Sequence, residues 1–302
     1  METKGIMDVK KEIEKVASGL NGTLGAAIKD LVDGEEIHVN SAEWFPTAST
    51  FKIFILVELF KQVQEGKLDL NDRLTVRADF QAPGGGVLKD WQPGLQPTIK
   101  DLATVMIQIS DNTATDMLFD KLGIHNINQT LQEFGYDEIN VVLTAKEILF
   151  SLVGLDQEDL SDKAWPDILA EFERRRGHSE YNLNGKYDSD QKDNNIATPR
   201  CVTRLVSDLY DGKVINREAS EGIIAIMKRQ LYRNQIHKYL PKHVVVSNKP
   251  GGVEGVRADS GIVFADRPFV ITCFTKNLEK VTDGEEAIAR VSKIAYDYIM
   301  SK

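Results

Sequence analysis

Strand-forming and helix-forming segments occupy different parts of this chain, and that separation limits the folds open to it. Near the N-terminus, residues 24–31 and 36–40 predict two strands that are joined at the hairpin signal Asp33-Gly34. Near the C-terminus the sequence predicts three further strands, over residues 243–247, 261–265 and 269–275. The two groups can share a sheet only if the helix-forming residues between them make a separate layer.

The sequence therefore predicts an α+β fold with a five-stranded antiparallel sheet. Helices over residues 8–19 and 285–300 flank this sheet, and an all-helical domain is inserted between its two halves. We expect residues 1–48 and 216–302 to form the discontinuous sheet domain and residues 49–215 to form the helical domain. The active site is expected at the interface of the two domains.

Composition and charge narrow the classes of function. Of the 302 residues, 42% are hydrophobic and 27% are charged, which is typical of a soluble globular protein. The formal net charge of -9 argues against a nucleic-acid partner. No apolar run approaches the roughly 20 residues that cross a bilayer, so we predict no membrane partner. A monomer is the default expectation.

The N-terminus and the cysteines bear on cellular location and on cofactors. The first 20 residues are charged, without the apolar core of a signal peptide. This predicts a cytoplasmic protein, or a periplasmic or secreted one if the chain is a mature form. Cys201 and Cys273 are predicted to be buried thiols. We find no metal-spaced cysteine–histidine cluster and no phosphate or dinucleotide loop, which predicts no metal and no cofactor.

Ser49 and Lys52 are the first candidate catalytic residues. They precede the apolar block 53–60 and lie three positions apart at the start of a predicted helix, so they share one face. A hydroxyl beside an amine can form a nucleophile–base pair, and the helix N-terminus adds positive potential. Such a spacing is also common on solvated helical turns, so further motifs must support it. The five histidines lie in no Ser-His-Asp context, which favours lysine as the base.

Two further motifs follow along the chain. One lies between two predicted helices and consists of Ser110, Asp111 and Asn112. These residue types also cap helices, so the motif alone is not specific. The other follows the strand predicted over residues 243–247 and consists of Lys249, Pro250, Gly251 and Gly252. This sequence is also common in turns, so the third motif alone is not specific either.

In this order, the three motifs resemble those of class A β-lactamases and penicillin-binding proteins. The resemblance covers nearly the whole chain, and the order of strands and helices matches the β-lactamase/transpeptidase-like fold. It implies a serine hydrolase that opens a β-lactam ring through a Ser49 acyl-enzyme, which water then hydrolyses. Residues 251–263 look closer to the branch of β-lactamase-like serine hydrolases than to the efficient resistance enzymes.

The resemblance also implies catalytic roles. Ser49 would attack a carbonyl carbon, and the backbone N–H groups of Ser49 and Gly252 would bind the resulting oxyanion. Lys52 is expected to have a lowered pKa because it is desolvated and near a second cation, Lys249, so it could accept the Ser49 proton. Ser110 would relay a proton toward the leaving nitrogen.

Substrate-binding roles follow from the same resemblance. Asn112 would hydrogen-bond the side-chain amide of the substrate, and Lys249 and Arg257 would attract its carboxylate. Gly251 and Gly252 would line the substrate site. An arginine beyond a strand turn is also commonly a solvated surface residue, so the role of Arg257 has a simpler alternative.

The sequence departs from the family pattern in two places. Pro250 stands where the family has a hydroxyl residue, so a contact to the substrate carboxylate is lost. The family's deacylating glutamate lies on a long loop, and Glu180 fits its pattern within residues 177–195. The distance from Glu180 to Pro199 is about two residues longer than usual. The alternative for Glu180 is a solvated loop carboxylate, and Glu171 and Glu173 are weaker candidates.

These departures leave other functions open beside the β-lactamase hypothesis. The same Ser49–Lys52 pair could serve an esterase or a D-alanyl peptidase. It could also serve a slowly deacylating penicillin-binding or sensor protein, which acylates and stays acylated. In each case the predicted partner is a small-molecule substrate, a β-lactam or a related amide or ester.

Overall fold

The computed structural model describes residues 2–160, 163–176 and 189–302. Within these ranges the strands are β1 Thr23–Asp30, β2 Glu36–Val39, β3 Phe45–Pro46, β4 Ile139–Asn140, β5 Ile196–Ala197, β6 Val245–Val253, β7 Val256–Phe264 and β8 Phe269–Lys276. The helices are α1 Glu2–Ser18, α2 Lys52–Gln64, α3 Ile99–Gln108, α4 Asn112–Leu122, α5 Ile124–Glu133, α6 Ala145–Leu152, α7 Trp165–Arg176, α8 Pro199–Asp211, α9 Arg217–Met227 and α10 Val281–Met300.

The main sheet joins the two ends of the chain. Its five strands run antiparallel in the order β2-β1-β8-β7-β6, so β1 from the N-terminal part pairs with β8 from the C-terminal part. Helices α1 and α10 pack together over one face, around a core that includes Ile13, Val16, Ile288 and Val291. The predicted α+β fold with a five-stranded antiparallel sheet and flanking terminal helices is confirmed.

Helix α2 lies at the centre of the helical layer. Its residues Ile53 to Val57 are all fully buried, because α2 contacts α4, α5 and α9 on different sides. A helix that is apolar all round is stable only inside such a bundle. The start of α2 is therefore fixed in position by packing, and the Ser49 segment that enters it is fixed with it.

Helix α8 links the helical layer to the sheet. It packs against β1, β7 and β8, and the hydroxyl of Thr203 donates to the backbone carbonyl of Ala27 at 3.2 Å. Residues 199–211 thus belong to the inserted segment in sequence and cover the sheet in space. The predicted domain division at residues 48 and 216 stays a prediction.

Strand β6 is longer than the sequence predicts. It continues through Lys249 and Gly252 to Val253, where we expected a turn after residue 247. Register pairing with β7 holds the whole segment extended, with Pro250 opposite Asp259. β6 is an edge strand, where the missing N–H of proline is tolerated, so pairing overrides the turn preference of Pro-Gly-Gly.

Two further observations complete the fold. Cys201 and Cys273 are buried free thiols, as predicted.

Among the residues that the structure describes, no helix combines the length and the apolar character that a bilayer-spanning segment requires.

Candidate active site

A cavity of about 870 Å³ lies between the helical layer and the edge strand β6. All three sequence motifs reach it. Its walls include six of the residues singled out from the sequence: Ser49, Ser110, Asn112, Gly251, Gly252 and Arg257. The two motif lysines lie beneath this surface, fully buried.

Ser49 stands on a 3₁₀ turn, Ala48–Phe51, that leads directly into α2. The turn is braced by Thr50, whose hydroxyl donates to the carbonyl of Thr47 at 2.6 Å. Ala48, just before Ser49, has φ of 41°, in the left-handed region that disfavours side chains with a Cβ. Strained backbone of this kind persists where the surrounding packing enforces it, and it is concentrated at functional sites.

Lys52 joins the first motif to the second. Its Nζ donates to the backbone carbonyl of Ser110 at 2.9 Å and to Asn112 Oδ1 at 2.8 Å, and it lies 3.0 Å from Ser110 Oγ. Burial lowers the pKa of Lys52 to about 7, although the charges of Asp111 and Asp116 act to raise it. A lysine with such a pKa can both accept and return a proton near neutral pH.

The Ser110 loop is held between α3 and α4 by Asp111. The Asp111 carboxylate caps α4 through Ala114 N at 2.9 Å. It also accepts from the backbone N–H groups of Val87 and Leu88, at 2.7 and 2.9 Å. These bonds tie the loop to residues 84–88, and Ser110 is held at φ of 58°. The result is a rigid corner that presents the Ser110 and Asn112 side chains.

The glycines of residues 84–86 allow this corner to form. A Cβ at Gly86 would lie 2.3 Å from the Asp111 carboxyl group, and one at Gly85 would lie 3.0 Å from the Ser110 carbonyl. By itself, the Pro-Gly-Gly-Gly sequence of residues 83–86 predicts only a loop. Its close approach to the second motif could not be inferred without knowing which segments meet.

Strand β6 brings the third motif against Ser49. Lys249 is fully buried, and its Nζ donates to the carbonyl of Pro250 at 2.5 Å. Burial and the nearby charge of Lys52 both lower the pKa of Lys249. Gly251 packs directly on the nucleophile segment, since a Cβ there would lie 2.6 Å from Ser49 N. The two lysines therefore share one buried region under the cavity.

Arg257 lies at the wall of the cavity and is already engaged. Its Nε is 2.9 Å from Glu285 Oε1, and its Nη1 donates to the carbonyls of Val253 and Val256 at 2.9 and 2.8 Å. The charge of Arg257 is thus partly compensated by Glu285 of α10. The structure places Arg257 near the site, and its role stays a prediction.

A family model described as the β-lactamase enzyme family matches residues 8–299. This chain belongs to the β-lactamase enzyme family. Among curated relatives, the extended-spectrum β-lactamase PER-1 of Pseudomonas aeruginosa is 26% identical over 97% of this chain and 88% of its own length. β-Lactamase VEB-1 of the same organism is 22% identical over 96% of this chain and 90% of its own length.

Solved structures match along nearly the whole chain. A β-lactamase from Sphaerobacter thermophilus has a TM-score of 0.77 and 26% identity, and the match covers 100% of this chain and 99% of that one. The penicillin-binding protein PBP-A has a TM-score of 0.77 and 27% identity, with 98% and 97% covered. A mutant of PBP-A, with a TM-score of 0.78, is an acyl-enzyme complex with penicillin G.

One predicted residue of this β-lactamase-family site, Glu180, lies outside the residues that the structure describes. Of the weaker candidates, Glu173 on α7 is exposed and lines the cavity. Glu171 is bound by Arg174 and Arg175, and these hydrogen bonds lower its pKa. Within the described ranges, no group of three or more His, Cys, Asp or Glu residues could hold a metal ion.

Sequence reasoning missed two parts of the site. Asp116 is buried and accepts N–H bonds from Ala145 and Lys146 at the start of α6, at 2.7 and 2.9 Å. Burial raises its pKa to about 7. The segment 231–235 also lines the cavity and contributes Arg233. It has no regular period, so no pattern in the sequence marked it.

Proposed function

We propose that this chain is a serine β-lactamase that opens its substrate through an acyl-enzyme on Ser49. The observation that carries the proposal is the buried Lys52 amine, which is hydrogen-bonded to Ser110 and Asn112 under a cavity lined by Ser49. A general base must lie within hydrogen-bond reach of the groups it serves, and it works best with a pKa near the operating pH. Lys52 lies within this reach of Ser110 and three positions along the chain from Ser49, and its pKa of about 7 meets the second condition.

Acylation proceeds by proton transfer from Ser49. The neutral Lys52 amine takes the hydroxyl proton as Ser49 Oγ attacks the lactam carbonyl carbon. The tetrahedral oxyanion is stabilised by the backbone N–H groups of Ser49 and Gly252. The C–N bond then breaks, and the nitrogen receives the Ser110 proton while Lys52, 3.0 Å away, returns its proton to Ser110.

Deacylation requires a base for water, and we propose Glu180 for this role. It removes a proton from water as the oxygen attacks the ester carbonyl, and Ser49 Oγ leaves with a proton returned through Lys52. The support is the fit of Glu180 to the loop pattern of the family. The chemistry uses no metal ion and no cofactor at any step.

Substrate binding is assigned to the groups around the nucleophile. The Asn112 amide already gives one Nδ2 proton to the carbonyl of Pro83, at 2.8 Å, and keeps the other for the substrate amide. Gly251 keeps β6 close to Ser49 and Gly252 lines the site, so the edge strand can align the substrate. Lys249 and Arg257 contribute positive potential for the carboxylate.

The test is intact-protein mass spectrometry over time after mixing with penicillin G. A Ser49-dependent adduct that decays while the drug is consumed supports the proposal, and Ser49→Ala must show neither adduct nor consumption. If Ser49→Ala hydrolyses penicillin G as fast as the parent, the proposal fails. Glu180→Ala is expected to leave adduct formation unchanged and to prolong the adduct, whereas the matched change Glu173→Ala should alter neither.

A slowly deacylating penicillin-binding protein is the second candidate function, favoured by the likeness to PBP-A at 27% identity. An adduct that forms on Ser49 and persists would establish this alternative. Pro250, which lines the cavity and offers neither hydroxyl nor N–H, favours a third outcome. If no lactam adduct forms but a small ester or D-alanyl peptide is hydrolysed through Ser49, the chain is an esterase or peptidase.

A further inference from the structure

We propose that residues 228–245 form a docking surface for an anionic lipid bilayer. These residues run from the end of α9 to the first residue of β6, and part of the segment, residues 231–235, lines the cavity. We call residues 228–245 the basic rim. A protein that lies on a bilayer needs no spanning helix, so the inference departs from the expectation of no membrane partner, which considered spanning segments alone. It does not depend on the reaction at Ser49.

The charge of the basic rim is opposite in sign to that of the chain as a whole. The basic rim holds five cations, Lys228, Arg229, Arg233, Lys238 and Lys242, and it has no Asp or Glu. The complete chain has 46 acidic and 37 basic residues. At physiological salt, exposed charges act over about 8 Å, so an approaching surface responds to the local excess of cations. The basic rim therefore attracts an anionic surface although the chain is acidic.

Most of these cations are available to a partner. All five are exposed, and Lys238 pairs with Glu286 of α10, whose Oε2 lies 2.8 Å from its Nζ. Among the described residues, the other four cations have no carboxylate partner. Lys228 lies over the ring of Phe264, 4.0 Å from the ring centroid, and this contact leaves its positive charge uncompensated. Four unpaired cations therefore face the solvent along the basic rim.

The second property of the basic rim is its exposed apolar side chains. Leu231 is 57% exposed, Val245 49%, Tyr232 45% and Tyr239 41%. The described residues expose nine large hydrophobic side chains in all, and four of them lie in this one segment. Exposed apolar side chains that are concentrated in one region mark an interaction surface. The basic rim thus combines positive charge with apolar contact area.

The inward-facing residues attach the basic rim to the fold. These residues are buried: Gln230, Gln235, Ile236, His237, Leu240 and Val244. Gln230 Nε2 donates to the carbonyl of Ile107 in α3 at 2.6 Å, and the hydroxyl of Ser292 in α10 donates to the carbonyl of Ile236 at 2.9 Å. Because the backbone is already fixed, little conformational entropy is lost when the outward side chains meet a partner.

A bilayer fits this combination of properties better than a soluble polyanion does. A polyanion is bound chiefly through cations, so it would leave Leu231 and Val245 in water. An anionic bilayer offers negative headgroups together with an apolar layer that side chains enter to a depth of about 5–10 Å. Tyrosine side chains are enriched at this boundary, and Tyr232 and Tyr239 are both exposed in the basic rim.

The test is sedimentation of the full chain with lipid vesicles. One set of vesicles is phosphatidylcholine alone, and the other is an equimolar mixture of phosphatidylcholine and phosphatidylglycerol. We expect binding to the anionic vesicles that weakens as salt is added, and binding to the neutral vesicles that is at least about tenfold weaker.

Charge reversal at two positions outside the cavity locates the surface. Each cation near an anionic leaflet contributes about fivefold to affinity, so Arg229→Glu with Lys242→Glu should weaken binding by about 25-fold or more. The matched control is Lys100→Glu with Lys121→Glu, which makes the same change in net charge at exposed positions of α3 and α4. It should change binding by less than about threefold. Thermal unfolding of each variant checks that the fold is intact.

A variant without a charge change tests the apolar contribution. Leu231→Ala should weaken binding to the anionic vesicles by about 3- to 10-fold and leave its salt dependence unchanged. An unchanged affinity in Leu231→Ala, with inorganic polyphosphate bound as tightly as the vesicles, would assign the basic rim to a soluble polyanion and overturn the proposal.

Three other results would also overturn it. The parent chain could fail to sediment with the anionic vesicles at low salt. The control pair Lys100→Glu with Lys121→Glu could weaken binding as much as the pair in the basic rim, which would mean an effect of net charge alone. Sedimentation velocity without lipid could show a dimer that the Arg229→Glu and Lys242→Glu changes dissociate, with no binding to vesicles, which would make a second copy of this chain the partner.

Discussion

Replacing Gly251 by alanine tests whether strand β6 positions the nucleophile. A Cβ at this residue would lie 2.6 Å from Ser49 N, 3.0 Å from Ala48 Cβ and 3.0 Å from the carbonyl oxygen of Thr47. None of these atoms is the end of a flexible side chain. Either β6 or the Ser49 turn must move to make room, and both belong to the site.

The size of the displacement follows from these distances. Ordinary nonbonded contact begins at about 3.5 Å, so Gly251 Cβ and Ser49 N must separate by about 0.9 Å. A misplacement of about 1 Å at a reacting group costs on the order of 10²-fold, and loss of one oxyanion-hole donor costs about 10²–10³-fold. We therefore expect acylation to slow by about 10²–10³-fold, with about 1–3 kcal/mol lost from the free energy of unfolding.

The assay is the rate of adduct formation on Ser49 with penicillin G, measured beside thermal unfolding. Gly252→Ala is the matched control, because its Cβ would meet the end of the Arg257 side chain, 2.7 Å from Nη1. Moving that end breaks bonds of Arg257 to Glu285, Val253 and Val256 but leaves Ser49 in place, so a loss of acylation rate below about tenfold is expected. Gly19→Ala, whose nearest atoms are 3.5 and 3.7 Å away, gives the baseline. A folded Gly251→Ala that acylates within about threefold of the parent would refute the reasoning.

Three further predictions concern titratable groups. The acylation rate should rise with pH through about 7 and become constant above it, because only neutral Lys52 can accept the Ser49 proton. Lys52→Arg should abolish this pH-dependent rise and slow acylation by at least about 10²-fold. In the same pH–rate measurement, Asp116→Asn should shift this rise to lower pH, since the Asp116 charge raises the pKa of Lys52. A rise at the same pH as in the parent would contradict this coupling. The pKa of His237 is lowered in the folded state, so stability should be lost as pH falls from about 6.5 toward 4. Urea midpoints at neutral and acid pH measure this loss, and His237→Gln should reduce their difference.

The parts of the fold that the sequence predicted are those fixed by local pattern. The Asp33-Gly34 hairpin and the apolar run of α2 each carry their period in consecutive residues, so their structure follows from one segment. The position of Ser110 between α3 and α4 was predicted for the same reason. The sequence predicted that strands from both ends share one sheet, and the pairing of β1 with β8 is how the structure joins them.

The parts that were missed depend on segments that meet only in space. Strand β6 stays extended through Pro250 because β7 pairs with it, which no local propensity shows. Gly85 matters because the Ser110 carbonyl approaches it, and Gly86 because Asp111 does; Arg233 lines the cavity with His237 against it. In each case the residue has an ordinary local explanation, and its role is set by a neighbour distant in sequence.

The contrast between Lys52 and Lys302 shows that burial alone does not lower the pKa of a lysine. Lys302 is partly buried, which lowers its pKa, but bonds to Glu35, Asp33 and Asp30 outweigh this and raise it. Lys52 is fully buried, and its bonding partners are the neutral oxygens of Ser110 and Asn112, so burial prevails. The carboxylates of Asp111 and Asp116 act to raise this pKa, but they accept hydrogen bonds from backbone N–H groups and not from Lys52. A near-neutral amine, able to act as a base without histidine, is therefore a property of the fold around Lys52.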